Sequence, residues 1–365
     1  MNVLIDINHP AHVHMFRCFA HEMINRGHNV LFTIRDKEFE KKLLDAEGLP
    51  YVNLGRKRDG KISRVLFNLQ CEWRVWRIAR RFKADLLLSH GSIVAAHVGW
   101  LLRKPSIAFE DTFNMEQVQL YLPFTSVVLT SDYEHPIHSP KVIKYPGYNE
   151  LLYMLPHRFT PMSHEEVCRL LGIDATERYV VLRFVSWHAT HDRGHKGISF
   201  ENKIEAVQQM SQYAHVFISS ESELPSELAA YRLPTQPEMI GHVMAHATLV
   251  FGESATMVSE AAMLGVPGIY LDNTGRLYTR DLQERYGLCW CYSESLDDQT
   301  AAIHQAVTLL SQDADSLVED MHRRSERLLY DKIDCTAFLT YFIENYPQSV
   351  EETKRGGAEF WKKFK

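Results

Sequence analysis

Apolar and polar positions divide the chain into short buried runs separated by longer amphipathic ones. Val3–Ile7, Asn29–Ile34, Asp85–Ser89, Ser106–Glu110 and Val127–Thr130 have the length and character of strands. Ala11–Asn25, Lys61–Lys83 and Ile93–Leu102 between them read as helices. Gly27 stands just past the first helix as a C-cap signal, and Asp36 can cap the next. Strand alternating with helix predicts parallel βαβ units.

The pattern then restarts. Ser163-His-Glu-Glu166 is a capping box that opens a helix. Tyr179–Phe184, Val216–Ser219, Leu249–Phe251 and Gly268–Leu271 are strands with helices between them. The break falls across Pro146–Pro161, which holds three prolines and Gly147. We therefore expect two doubly wound, Rossmann-like domains at 1–150 and 151–332. Residues 333–365 read as a helical tail without strands, of the kind that packs back on a first domain. No repeat of solenoid period is present.

Composition narrows the function classes. Hydrophobic residues make up 45% of the 365 and charged residues 24%, as in ordinary globular chains. The net charge of −6 provides no basic field for nucleic acid, so none is expected as a partner. Six scattered cysteines without a CxxC read as thiols in a reducing compartment. The opening residues lack the pattern of a signal peptide, and the longest near-apolar run, Ile93–Leu102, is too short to span a membrane. A cytoplasmic location is expected. One segment departs from the acidic whole: Arg56–Lys83 holds ten Lys/Arg against Asp59 and Glu72, so 10 − 2 gives +8, with Trp73 and Trp76 interleaved. It reads either as a solvated helix face with a tryptophan anchored in the core, or as a dock for an anionic membrane or a lipid-diphosphate acceptor. The second reading implies peripheral contact with the inner face of the membrane.

Four places carry candidate chemistry. In Phe251–Asp272 a strand is followed by Gly252, Ser254, Ala255 and Thr256, and then by a helix. Small residues at a helix N-terminus let a phosphate reach free N–H groups, and the helix dipole favours its charge. Glu260, one to two turns further on, can accept hydrogen bonds from ribose hydroxyls. The first strand–helix turn, Asp6-Ile-Asn-His-Pro-Ala-His-Val-His14, presents His9, His12 and His14 where open α/β sheets bind ligands. Histidine is the natural general base near neutrality. The turn lacks GxGxxG, so no dinucleotide cofactor is expected. Ser106–Phe109 delivers Glu110 and Asp111, two adjacent acids after a buried run, with Glu116 shortly beyond. Finally, residues 183–197 carry Arg183, His188, His191, Arg193, His195 and Lys196. The histidine spacing does not form HExxH and no cysteine accompanies it, so we expect no metal. The basic groups there can neutralise a diphosphate.

The block Val258-Ser259-Glu260 followed by Gly265-x-Pro267 resembles the nucleotide-sugar motif of GT-B glycosyltransferases, among them the N-acetylglucosaminyltransferase that forms lipid II. It is also similar to a block of the non-hydrolysing UDP-GlcNAc 2-epimerases. The Asp6-Ile-Asn-His-Pro opening, Tyr145-Pro-Gly-Tyr148 and residues 251–267 together resemble a bacterial and archaeal GT-B-like family classed as a domain of unknown function. The resemblance implies two Rossmann-like domains facing across a cleft, with a nucleotide-sugar, UDP-sugar by preference, on the second. Gly252, Ser254, Ala255 and Thr256 would then hold the diphosphate and Glu260 the ribose, with His9 and Arg183 as further donor contacts. His12 aligns with the histidine of the lipid II enzyme's first turn. Glu110 matches one catalytic glutamate of the epimerases, Glu116 falls near another, and His188 lies near their basic loop. Ser92 stands where they carry a catalytic aspartate.

The expected activity is a metal-independent glycosyltransferase in cell-surface polysaccharide or glycolipid synthesis, with a glycan or lipid-linked acceptor deprotonated by His12 or Glu110. The rivals are a 2-epimerase-like enzyme using Glu110, Glu116 and His188, and a non-catalytic nucleotide-sugar-binding protein.

Overall fold

A computed structural model describes residues 1–35, 38–55, 61–185, 197–220 and 223–365, and of residues 38 and 61–66 the backbone alone. Asp36, His188, His191, Arg193, His195 and Lys196 lie outside the described residues. The chain divides into two units: one made of Met1–Tyr153 with Lys332–Lys365, the other of Met154–Asp331.

The first part of the chain runs β1 (Asn2–Asp6), α1 (Pro10–Asn25), β2 (Asn29–Ile34), α2 (Glu38–Glu47), β3 (Tyr51–Asn53) and α3 (Lys61–Phe82). It continues through β4 (Leu86–His90), α4 (Ile93–Leu102), β5 (Ser106–Phe109), α5 (Met115–Tyr121), β6 (Val127–Ser131) and β7 (Val142–Tyr145). Among the described residues the seven strands form one parallel sheet in the order β3-β2-β1-β4-β5-β6-β7. The chain winds outward from β1 to β3, then crosses back to lay β4 beside β1. That reversal is the topological switch point of the sheet, where open α/β folds bind ligands at the carboxyl ends of the strands.

Local chemistry explains the elements. In β4 and β5 nearly every residue is buried, as in a sheet covered by helices on both faces. Pro10 opens α1 at its first helical position, and His9 caps it by accepting from the Ala11 N–H at 3.2 Å. On α3, Phe67, Cys71, Val75 and Ala79 recur every four residues and form the buried stripe.

The second unit holds α6 (His164–Leu171), β8 (Tyr179–Arg183), α7 (Phe200–Met210), β9 (His215–Ser219), α8 (Ile240–Met244), β10 (Leu249–Gly252) and α9 (Ala255–Met263). β11 (Gly268–Leu271), α10 (Leu277–Asp281), β12 (Cys289–Tyr292), α11 (Leu296–Leu310) and α12 (Ala314–Asp331) complete it. Both limbs of the Ser163–Glu166 capping box are formed at α6. The strands pair in parallel in the order β12-β11-β10-β8-β9, so the switch point of this sheet lies between β8 and β10.

The end of the chain, α13 (Cys335–Glu344), α14 (Gln348–Arg355) and α15 (Gly357–Trp361), belongs to the first unit. The Tyr145-Pro-Gly-Tyr148 turn is its seat. The Ile333 N–H donates to the Pro146 carbonyl at 3.0 Å, and the Phe338 ring stacks on Tyr145 at 5.6 Å. The Lys332 ammonium reaches Asp132 at 2.7 Å and lies over the Tyr148 ring. A Cβ on Gly147 would meet the Cys335 sulfur at 2.3 Å, which accounts for the glycine in that motif.

Candidate functional site

Each sheet brings candidate side chains to its own switch point. In the first unit, Asp6 ends β1 with its carboxylate wholly buried. It accepts from the Thr33 hydroxyl at 2.6 Å, from the Ser92 hydroxyl and from Arg35, which also donates to the Ile7 carbonyl. Ser92 in turn caps α4 through the Ala95 N–H. Asp6 and Ser92 thus fasten the ends of β1 and β2 and the turn after β4 to one another.

Above that floor sits a chain of polar side chains. His12, in the first turn of α1, lies against His90 at the end of β4, with ring centroids 4.7 Å apart, and the His9 ring is 5.9 Å from that of His12. The His90 Nε2 lies 2.8 Å from Oδ1 of Asp111. Oδ2 of Asp111 accepts from the Asn149 amide at 2.6 Å, and the Asn149 oxygen accepts from the buried Tyr145 hydroxyl at 2.9 Å. Burial opposes a charge on His90, but the Asp111 carboxylate, their hydrogen bond and nearby Glu110 outweigh it and push the imidazole up to about 9. His90 is therefore cationic at neutral pH.

Glu110 has a different occupation. Its Oε1 accepts from the Thr112 N–H and hydroxyl and from the Phe113 N–H, and its Oε2 from the Tyr121 hydroxyl at 2.6 Å. Phe113 holds φ 52, a left-handed conformation that a non-glycine residue keeps only when its surroundings enforce it. The carboxylate organises that turn. Glu116 is exposed on the first turn of α5, outside this network. His14 is half-buried beside Tyr153; burial, with Arg17 adding to it, pulls its imidazole down to about 4.

The switch point of the second unit brings the ends of β8 and β10 together, with Gly252 opposite Arg183. Gly252 has φ 144, and a Cβ there would lie 2.0 Å from the Arg183 carbonyl oxygen. Only glycine allows that approach. The Arg183 guanidinium donates to the Ser219 hydroxyl at 3.2 Å. Ser254 caps α9, accepting from the Met257 N–H; Thr256 is half-buried and Ala255 buried. Glu260 is only 9% exposed on the next turn of α9. Below, Gly265 and Gly268 permit close packing on His322 and Val258.

Three participants escaped the sequence reading. His90 and Asn149 carry Asp111, and their signal was a polar residue ending a buried strand and an asparagine just past the Tyr-Pro-Gly-Tyr turn. Glu253 is the third. Its carboxylate accepts from the Val185 and Ile198 N–H groups, each at 2.6 Å, and pairs with buried Lys203 at 3.5 Å. An acid directly after the Gly252 turn was its only mark.

Among the described residues no group of three or more His, Cys, Asp or Glu is arranged to hold a metal ion. No helix among them is long and apolar enough to cross a membrane. On α3, Trp73 is 55% exposed beneath the Arg77 guanidinium, while Trp76 packs against the core with Arg80 over its ring.

Solved structures share this arrangement of parallel sheets. The chain is similar to SsfS6, a Streptomyces sp. SF2575 glycosyltransferase, with a TM-score of 0.60 and 14% identity over 94% of this chain and 100% of that one. It is similar to Acinetobacter baumannii MurG, with a TM-score of 0.60 and 14% identity over 94% and 99%. It is also similar to a UDP-GlcNAc 2-epimerase from Neisseria meningitidis, solved bound to UDP-GlcNAc, with a TM-score of 0.59 and 12% identity over 91% and 99%. The chain is an α/β protein of the GT-B type, built on two Rossmann-like sheets with a helical C-terminal region. No curated protein matches its sequence. It belongs to the family described as Protein of unknown function (DUF354), whose model matches residues 1–279.

Proposed function

We propose that this protein is a nucleotide-sugar-dependent glycosyltransferase, with the donor bound by the second unit and the acceptor activated by the first. The observation that carries the reading is the β8/β10 switch point. Gly252 lies against the Arg183 backbone, Ser254 opens α9, and the Glu260 carboxylate follows one turn later. Free N–H groups and the positive end of the α9 dipole suit a diphosphate. A glutamate held in the helix behind them suits the two ribose hydroxyls. UDP is the preferred nucleotide because the GT-B epimerase compared above was solved with UDP-GlcNAc. Helix dipole and basic side chains can stabilise the departing diphosphate without a metal.

His12 is the base in this reading. Glu110 gives one oxygen to its own turn and the other to the Tyr121 hydroxyl of α5, which leaves the acceptor proton to the imidazole that faces the β1/β4 switch point. The same engagement weighs against a 2-epimerase, which needs Glu110 as an acid or base and Glu116 beside it. A lipid-linked acceptor fits the basic, tryptophan-bearing surface of α3.

Titration calorimetry with UDP and UDP-sugars tests the donor site. Glu260→Ala should weaken UDP binding by about 10- to 150-fold, the worth of charged hydrogen bonds. Unchanged affinity would remove the ribose from Glu260. Turnover that needs no acceptor would replace the transferase with an epimerase, and retained UDP binding without turnover would leave a binding protein.

A further inference from the structure

We propose that His90, hydrogen-bonded to Asp111, is a positioning residue that sets the place and the proton affinity of the ring of His12. The inference rests on the reading of His12 as the base and deepens it. The contact is built from four parts of the first unit. α1 supplies His12, β4 ends in His90, the turn after β5 supplies Asp111, and the segment after β7 supplies Asn149.

Asp111 is pinned from the far side by Asn149, which is itself held by the Tyr145 hydroxyl. The carboxylate therefore cannot turn away, and the His90 ring cannot rotate without leaving it. Of the charged groups facing His90, Asp111 and Glu110 are anionic, and Glu110 is locked by Thr112, Phe113 and Tyr121. On the other face stands His12, with His9 beyond it. The rings of His12 and His90 are tilted by 33° at 4.7 Å, so a second positive charge on His12 would meet the first almost face to face. Like charges at such a distance disfavour one another. A base must arrive unprotonated, and the neighbouring cation serves that end. Asp111 thus acts on His12 through His90, its partner at 2.8 Å.

The test is an NMR titration of the imidazole resonances of the full chain, carbon-13 labelled at histidine. In the native protein His90 should stay protonated through pH 8. In His90→Gln the midpoint of His12 should rise by about one unit or more, because the adjacent cation is gone. Asp111→Asn should move it the same way, since His90 then loses its proton near neutrality; this isosteric variant serves if His90→Gln does not fold. An unchanged His12 midpoint in both folded variants would overturn the coupling. So would a His90 that loses its proton below pH 7 in the native protein. His12→Ala separates the two ideas in an acceptor-dependent assay. Undiminished turnover there ends the assignment of His12 as base, and a loss of about 10²–10⁴ supports it.

Discussion

His90 Nε2 stands 2.8 Å from Oδ1 of Asp111, across the carboxyl ends of β4 and β5. The ring's affinity for a proton is raised from the ordinary 6.5 to about 9 by this contact against the cost of burial. Between those values the folded protein holds a proton that the unfolded chain has released. Stability from this pair is therefore complete below about pH 6.5 and is lost as pH rises through about 9. The gap corresponds to roughly 3 kcal/mol at most. Urea unfolding at a series of pH values should show the decline, and Asp111→Asn should flatten it. Parallel curves for the two proteins would show that the pair does not carry the effect.

His14 works in the opposite direction. Its imidazole is held down at about 4 by burial and by Arg17. The unfolded chain takes up the proton first as pH falls, so stability drops between about pH 6.5 and pH 4. His14→Gln should remove part of that acid limb and leave the alkaline limb unaltered. A variant whose unfolding midpoint follows the native curve throughout acid pH would contradict this account.

Gly252→Ala should be severe. The new methyl would sit 2.0 Å from the Arg183 oxygen, at φ 144, so the ends of β8 and β10 would have to part. We expect a loss of roughly 3 kcal/mol or more, from strain and from broken strand pairing. UDP binding should fall further than the stability loss alone explains. A melting temperature near native would mean that the backbone yields at little cost.

The surface of α3 predicts a salt-sensitive membrane contact. Arg80 and Arg81 are exposed, and Arg77 covers exposed Trp73. Binding to anionic vesicles should fade as salt shortens the reach of these charges to about 8–10 Å and below. Replacing Arg77, Arg80 and Arg81 with Gln should abolish it. Equal partition of the native protein to neutral and anionic vesicles would dismiss the contact.

Local pattern determined a good deal of this protein. Apolar runs of strand length became the parallel strands, because a sheet covered on both faces needs buried side chains at nearly every position. Ser163 and Glu166 announced their helix start, since a capping box is made within four residues. Gly252 was read as room for a phosphate, and in the folded chain its missing side chain also admits the Arg183 carbonyl of the neighbouring strand. Short or weakly apolar strands were missed: β3, β7, and β12 as a member of the sheet were legible only once their neighbours had drawn them in.

Tertiary structure decided who meets whom at the site. Glu110 and Asp111 are adjacent in sequence and alike in chemistry, yet one turns inward to Thr112, Phe113 and Tyr121 while the other reaches His90 and Asn149. His12, His90 and Asn149 come from three segments that no periodicity connects; Asp111 bonds across 21 residues to His90 and across 38 to Asn149. Such partnerships follow from strand order. The crossover that lays β4 beside β1 brings His90 up against His12, and the placement of β5 then sets Asp111 behind it. Burial and turn chemistry are written in neighbouring residues, but the choice of a hydrogen-bond partner depends on which strand ends the completed sheet has placed side by side.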